Sequence, residues 1–302
     1  KRIAGTGLSV VLLLLFLPIA WVMTFTALKC SKTRIDVPVQ EYTSKIDGLT
    51  VYYRVAGDPE TQPIVFLHGL GARRDGPCGN DGVIAALAEH FYVIAPEHPG
   101  FIRSEPPKAV WTFEEYAHAL RALLLPLKLP KFILMSQSWG GGIASMYAKF
   151  YPDEVQTLVF VDAKIGSRRE NWYTRLRYVF NDFFAGVLDS RVIPLAIKQS
   201  FISLSMGAPK EILTEDASSK YKVMGEILHR AYNFSVDYAA LPMPILLIWG
   251  DRDTWVSDME RAKQVAQEAK HGKFLTVPGS HTVLYQRPKE VVELIVSSLK
   301  NL

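Results

Sequence analysis

Apolar positions along this chain fall into two rhythms. Short runs that are apolar almost throughout recur at residues 49–55, 64–67, 91–95, 132–135, 157–161, 245–249 and 273–277. Runs of that length, rich in Val, Ile, Leu and Phe, predict strands buried on both faces. Between them, apolar residues return every three or four positions, the spacing of one helix face. One helix start is explicit in Trp111-Thr112-Phe113-Glu114-Glu115-Tyr116. Thr112 can cap, Glu115 can complete a capping box, and Trp111 can staple onto Tyr116. Pro126 predicts that the helix stops before it. Strands alternating with helices imply an α/β fold, a mostly parallel sheet flanked by helices.

The alternation stops over residues 163–240. Trp172, Leu176, Val179, Phe183 and Val187 recur there at helical intervals, and strand-like runs are missing. This stretch predicts a helical cap inserted into the α/β core, which resumes at Pro242-Met243-Pro244. The expected organisation is therefore a core of residues 35–162 and 241–302 with a cap of 163–240.

A third pattern precedes both. Between Arg2 and Lys29 lie 26 residues without a charge. As a helix they would reach about 39 Å, against a hydrocarbon core of about 30 Å. Thr26-Ala27-Leu28-Lys29 is a poor cleavage site for a signal peptide. The expectation is a membrane anchor over residues 1–34, with a transmembrane helix at about 5–28, and a single-pass membrane protein. Positive charge flanks the run on both sides, so the charge bias does not orient it.

Charge sharpens this division. The chain carries +4 overall. Lys1, Arg2, Lys29, Lys32 and Arg34 stand in residues 1–34 with no acid, which leaves 29 basic against 30 acidic residues over 35–302. A folded domain without basic excess argues against nucleic acid as a partner. Two cysteines, Cys30 and Cys78, exclude a disulfide framework. No zinc-type spacing and no phosphate-loop motif occurs, so no metal or cofactor is expected. Asn233-Phe234-Ser235 is a glycosylation sequon, and Cys30 is a juxtamembrane candidate for acylation.

The chemistry gathers at strand ends. The strand at 132–135 runs into Ser136-Gln137-Ser138-Trp139-Gly140, a small-x-Ser-x-Gly turn followed by a helix beginning near Trp139. That is a nucleophile elbow, with Ser138 as the nucleophile and Ser136 a weaker candidate. The strand at 64–67 ends in His68-Gly69-Leu70-Gly71. Such a loop beside an elbow supplies backbone N–H groups to an oxyanion, and the expected donors are Leu70 and Trp139. His68 is expected to fix its own loop rather than act as a base. The strand at 245–249 ends in Gly250-Asp251-Arg252-Asp253, and that at 273–277 in Gly279-Ser280-His281. Serine needs a base, and the imidazole needs an acid to hold its tautomer. The chain order Ser138, acid, His281 supplies both.

On these motifs the chain resembles the α/β-hydrolase superfamily across about residues 36–302. Within it the chain looks most like single-pass, membrane-anchored monoacylglycerol lipase or esterase members. The resemblance implies an α/β-hydrolase fold and a serine hydrolase acting on a carboxylic ester, a monoacylglycerol or another lipid ester. It also implies Asp253, the last residue of Gly-x-x-Asp, as the triad acid, with Asp251 and Asp162 as alternatives. Small-molecule or lipid substrate and membrane are then the partners. Two departures stand out. Ile102 occupies the position of a second glycine in Glu97-His98-Pro99-Gly100-Phe101-Ile102-Arg103-Ser104, which predicts a differently shaped loop. Trp139 after the nucleophile is commoner in iminopeptidase-like and dehalogenase-like branches. An iminopeptidase-like activity, a cofactor-free peroxidase-like activity and a non-catalytic binding protein on the same fold are the competing expectations.

Overall fold

The computed structural model describes residues 37–69, 79–109, 111–166, 194, 234–253 and 259–302. The expected anchor, nearly all of the expected cap, Leu70 and both cysteines lie outside these residues. Among the described residues no helix is long and apolar enough to cross a membrane.

Each apolar run forms a strand. These are β2 (Leu49–Ala56), β3 (Pro63–Leu67), β4 (Tyr92–Pro96), β5 (Phe132–Gln137), β6 (Val155–Val161), β7 (Ile245–Gly250) and β8 (Gly272–Val277). A further strand, β1 (Val39–Ile46), precedes them and was not expected from apolarity. It reads VQEYTSKI, lies at the sheet edge and is mostly exposed, so nothing selects apolar residues along it. Its signal is the turn instead. Asp47 and Gly48 join β1 to β2 at φ 48° and 81°. A two-residue hairpin whose turn matches the strand twist needs such left-handed positions, and Asp-Gly supplies them.

The sheet order is β1-β2-β4-β3-β5-β6-β7-β8. β1 and β2 are antiparallel to their neighbours, and β4 through β8 run parallel. Consequently β3, β5, β6, β7 and β8 all release their carboxyl ends along one edge. Ligands of open α/β sheets bind at that edge.

The helices are α1 (Asn80–Ala88), α2 (Phe113–Leu124), α3 (Gly140–Phe150), α4 (Met259–Glu268), α5 (Val283–Gln286) and α6 (Pro288–Leu299) among the described residues. α2 starts as its sequence dictates. Glu115 N–H donates to Thr112 Oγ1 at 3.3 Å, and Thr112 N–H donates to Glu115 Oε2 at 2.6 Å. The Trp111 and Tyr116 rings meet edge-on at 5.3 Å. Such a cap is worth about 1 kcal/mol. α2 ends at Leu124, and a single tight turn containing Pro126 follows.

Successive strand residues face opposite sides. Ile64, Phe66, Ile133, Met135, Leu246 and Ile248 join Val83, Leu87, Val292 and Ile295 from α1 and α6 in one core cluster. Their neighbours Val65, Leu67, Leu134, Leu247 and Trp249 are buried as well, so both faces of the sheet are covered. Each such side chain contributes about 1.5–3 kcal/mol by leaving water. α3 approaches the sheet closely at Gly140, where a Cβ would stand 2.7 Å from the carbonyl oxygens of Leu67 and His68. Residues 234–240, at the end of the span expected as cap, pack on this core. Tyr238 is fully buried, and its Oη lies 2.7 Å from Ser145 Oγ in α3.

Candidate active site

Ser138 sits on the turn between β5 and α3 at φ 51°. A non-glycine residue held in the left-handed region stores strain, and the surrounding backbone fixes it there. Ser138 N–H donates to Val161 O at 3.3 Å, while Ser138 O accepts from Gly141 N–H at 3.0 Å and from Lys164 N–H at 2.7 Å. The turn lifts the side chain out of the strand row. Ser136 remains in that row, paired with Phe160 and fully buried, and among the described residues its Oγ has no partner. Of the two serines, only Ser138 meets a base.

That base is His281. Its Nε2 lies 2.8 Å from Ser138 Oγ, and its Nδ1 lies 3.0 Å from Asp253 Oδ2. Asp253 is buried, and the imidazole is 13% exposed. The Nδ1–H therefore donates to the carboxylate, which leaves Nε2 as an acceptor for the serine proton. The three residues come from the ends of β5, β7 and β8, brought together by parallel pairing across the sheet.

The other two acids face elsewhere. Asp251 Oδ1 accepts from Gly279 N–H at 2.8 Å, and Arg252 N–H donates to Gly279 O at 2.8 Å. Asp251 thus splints the loop that carries His281. Asp162 Oδ1 accepts from Gly250 N–H at 2.8 Å, and its side chain is buried.

Trp139 forms the N-terminal cap position of α3, with its ring packed among Phe101, Phe113 and Tyr116 at 5.0–5.3 Å. Among the described residues no hydrogen bond uses its backbone N–H. Leu70, the other expected donor, lies outside the described residues.

Both ring nitrogens of His68 are bonded to groups other than Ser138. Its Nδ1–H donates to Gly69 O at 2.9 Å, and its Nε2 accepts from His98 N–H at 3.2 Å. Both ring nitrogens are engaged, so the ring is neutral and fixed in one tautomer. Burial pushes the His68 imidazole down to about 4. His98 is pushed well below its usual value by burial and by the neighbouring His68.

Two side chains escaped sequence reasoning, Gln137 and Tyr285. Gln137 Nε2–H donates to His281 O at 3.1 Å, and its Oε1 accepts from Tyr285 Oη at 3.3 Å. Tyr285 also takes a hydrogen bond from the Gly69 backbone. One amide therefore ties the elbow to the histidine loop and, through Tyr285, to the oxyanion loop. The loop after β4 is the one singled out in the sequence for Ile102 in place of glycine. Ile102 adopts φ 53° there, a conformation that glycine tolerates far better. Arg103 pins it, donating from Nη2 to Glu97 Oε1 at 2.7 Å and from its backbone N–H to Glu97 Oε2 at 3.1 Å. The signal for Gln137 was its place beside Ser138; Tyr285 needs the fold.

Among the described residues no group of three or more His, Cys, Asp or Glu side chains is placed to hold a metal ion.

A family model described as the alpha/beta hydrolase fold matches residues 62–288. An uncharacterized protein of Mycobacterium tuberculosis is 34% identical over 118 residues, 39% of this chain, and the chain spans only 33% of that protein's length. Epoxide hydrolase 3 of Mus musculus is 23% identical over 294 residues, 89% of this chain and 78% of that protein. The crystal structure of a membrane phospholipase A, a bacterial virulence factor, matches with a TM-score of 0.69 at 19% identity, covering 100% of this chain and 99% of that one. At this identity the structural likeness speaks for the fold alone.

Proposed function

The chain belongs to the alpha/beta hydrolase family, and from that premise we propose that it is a serine hydrolase cleaving a carboxylic ester through an acyl-enzyme. The observation that carries the reading is the continuous relay from Ser138 Oγ to His281 at 2.8 Å and on to Asp253 at 3.0 Å. His281 Nε2 removes the serine proton as Oγ attacks the ester carbon. Asp253 holds the Nδ1–H tautomer and stabilises the imidazolium that forms. The backbone N–H groups of Trp139 and Leu70 receive the oxyanion. The imidazolium then gives its proton to the leaving alkoxide oxygen as the carbon–oxygen bond breaks, and an acyl group remains on Ser138. Water repeats the sequence: it loses a proton to His281, attacks the acyl carbon, and Ser138 leaves with that proton restored.

The proposed substrate is a monoacylglycerol or a related lipid ester, presented near a membrane. Two sequence features support this. The uncharged run of 26 residues between Arg2 and Lys29 suits a transmembrane anchor for a single-pass protein. The apolar periodicity within residues 163–240 suits a cap that lines an acyl pocket. A retired, purely binding version of the fold has no need for a nucleophile, base and acid in bonding distance.

The test is a chain-length series of p-nitrophenyl esters. Each buried methylene is worth about 0.8 kcal/mol, nearly fourfold in kcat/KM. The expected profile rises from acetyl to medium chains, and a monoacylglycerol is hydrolysed. A flat or falling profile, together with cleavage of amino-acid arylamides, would favour an iminopeptidase-like activity instead.

A further inference from the structure

The catalytic relay leaves one buried carboxyl at the site without an assigned task. Asp162 follows β6, and its backbone N–H donates to Ile248 O at 3.0 Å, which sets it beside β7 at φ 44°. Its Oδ1 accepts from Gly250 N–H at 2.8 Å. The residue is 0% exposed, and among the described residues no donor reaches Oδ2. The neighbouring carboxyl is that of Asp253, within hydrogen-bonding reach of Asp162.

Two carboxylates offer only acceptors, so this contact requires one proton between them. Asp253 accepts from His281 Nδ1–H, and the imidazole offsets its charge. Asp162 has a single backbone amide to offset a charge in a site without water contact. Leaving it ionised would cost several kcal/mol. The proton therefore belongs on Asp162. Burial and the charge of Asp253 both hold the Asp162 carboxyl well above the usual carboxylate range. Among the described residues, Asp253 is the titratable group facing it, with His281 behind.

We infer that Asp162 is a positioning residue: a neutral carboxylic acid that donates a hydrogen bond to Asp253 and fixes the orientation in which Asp253 holds His281. The proton stays on Asp162 throughout turnover, and no bond to it breaks. The inference rests on the proposed triad. It also explains why the sequence carries acids at the ends of both β6 and β7: one is ionised and the other neutral, set apart by their surroundings.

The test compares two substitutions. Asn at 162 keeps an acceptor for Gly250 and a donor for Asp253, whereas Ala removes both. Asp162→Asn is expected to keep kcat within about threefold. Asp162→Ala is expected to lower kcat by about 10- to 100-fold with KM nearly unchanged, the loss of one charge-assisted hydrogen bond. The acidic limb of the pH profile moves upward in Asp162→Ala alone, because Asp253 without its donor holds His281 more basic. The second measurement is independent of activity and of the Ala variant's folding. The infrared difference spectrum between wild type and Asp162→Asn at neutral pH should contain the C=O stretch of a protonated carboxyl. Absence of that band would overturn the inference. So would a loss above about 10³-fold in Asp162→Asn, or full activity in Asp162→Ala. Failure of the triad itself looks different: near-normal turnover in Asp253→Asn, whatever Asp162 does.

Discussion

His68 and His98 hold each other by two reciprocal contacts. His98 N–H donates to His68 Nε2, and His98 Nε2–H donates to His68 O, each at 3.2 Å. The rings lie 4.2 Å apart, both buried. They join the end of β3 to the end of β4, and the pattern requires a neutral His68, whose Nε2 must accept.

Acid should loosen that junction. His68 is ordinarily half-protonated at 6.5 but only at about 4 in the folded protein. The unfolded chain therefore binds the proton first, so the stabilisation is fully present above pH 6.5 and declines as pH falls towards 4. The full loss from His68 amounts to about 3 kcal/mol. Urea midpoints measured from pH 7.5 down to 4.5 should fall progressively below 6.5. A midpoint independent of pH across that window would contradict a neutral His68.

Ile102 offers a gain in stability. A β-branched residue at φ 53° costs about 1–2 kcal/mol, and glycine removes that strain while adding some chain entropy to the unfolded state. Ile102→Gly should stabilise the protein by about 1 kcal/mol and raise its urea midpoint. A lowered midpoint would show that the Ile102 side chain contributes more by packing than its backbone loses.

Gln137 should matter to rate rather than to substrate binding. Gln137→Leu removes the contact to His281 O and the acceptor for Tyr285, while keeping most of the side-chain volume. Loss of about 1–2 kcal/mol of positioning predicts a fall in kcat of about 5- to 30-fold with KM little changed. An unchanged kcat would mean that the His281 loop holds its place without the amide.

The strand-and-helix order, the elbow and the acid–base candidates were all legible before the fold, because each depends on local pattern. The all-apolar run 245–249 announces a strand buried on both faces, and Thr112 with Glu115 announces a helix start. β1 was missed because an exposed edge strand has no apolar code; the Asp47-Gly48 turn was its remaining signal. The acid of the proposed triad was legible only as a choice of three. Asp162, Asp251 and Asp253 all follow strands, and their roles are separated by backbone direction after the strand end. Asp251 N–H still bonds Val277 O in the manner of the sheet, whereas Asp253 closes a turn onto Gly250 O and reaches His281. The partner of His68 was illegible, since His98 is 30 residues away and meets it only through the pairing of β3 with β4.

The proposed anchor can be separated from the proposed chemistry. The full chain should stay in the membrane pellet through high salt and an alkaline wash, because an apolar span is not held by surface charge. A chain starting at Ile35 should be soluble and should hydrolyse a short soluble ester. Full-length protein in the wash supernatant would contradict the span, and a folded but inactive shortened chain would give the first 34 residues a part in the site.

The account rests most directly on Ser138 as the nucleophile. Fluorophosphonate labelling followed by peptide mass spectrometry reads this without any assumption about substrate. The account predicts one phosphonylated residue, Ser138, in wild type and in Ser136→Ala, and no label in folded Ser138→Ala. Label on another residue, or none on the folded wild-type protein, would contradict it.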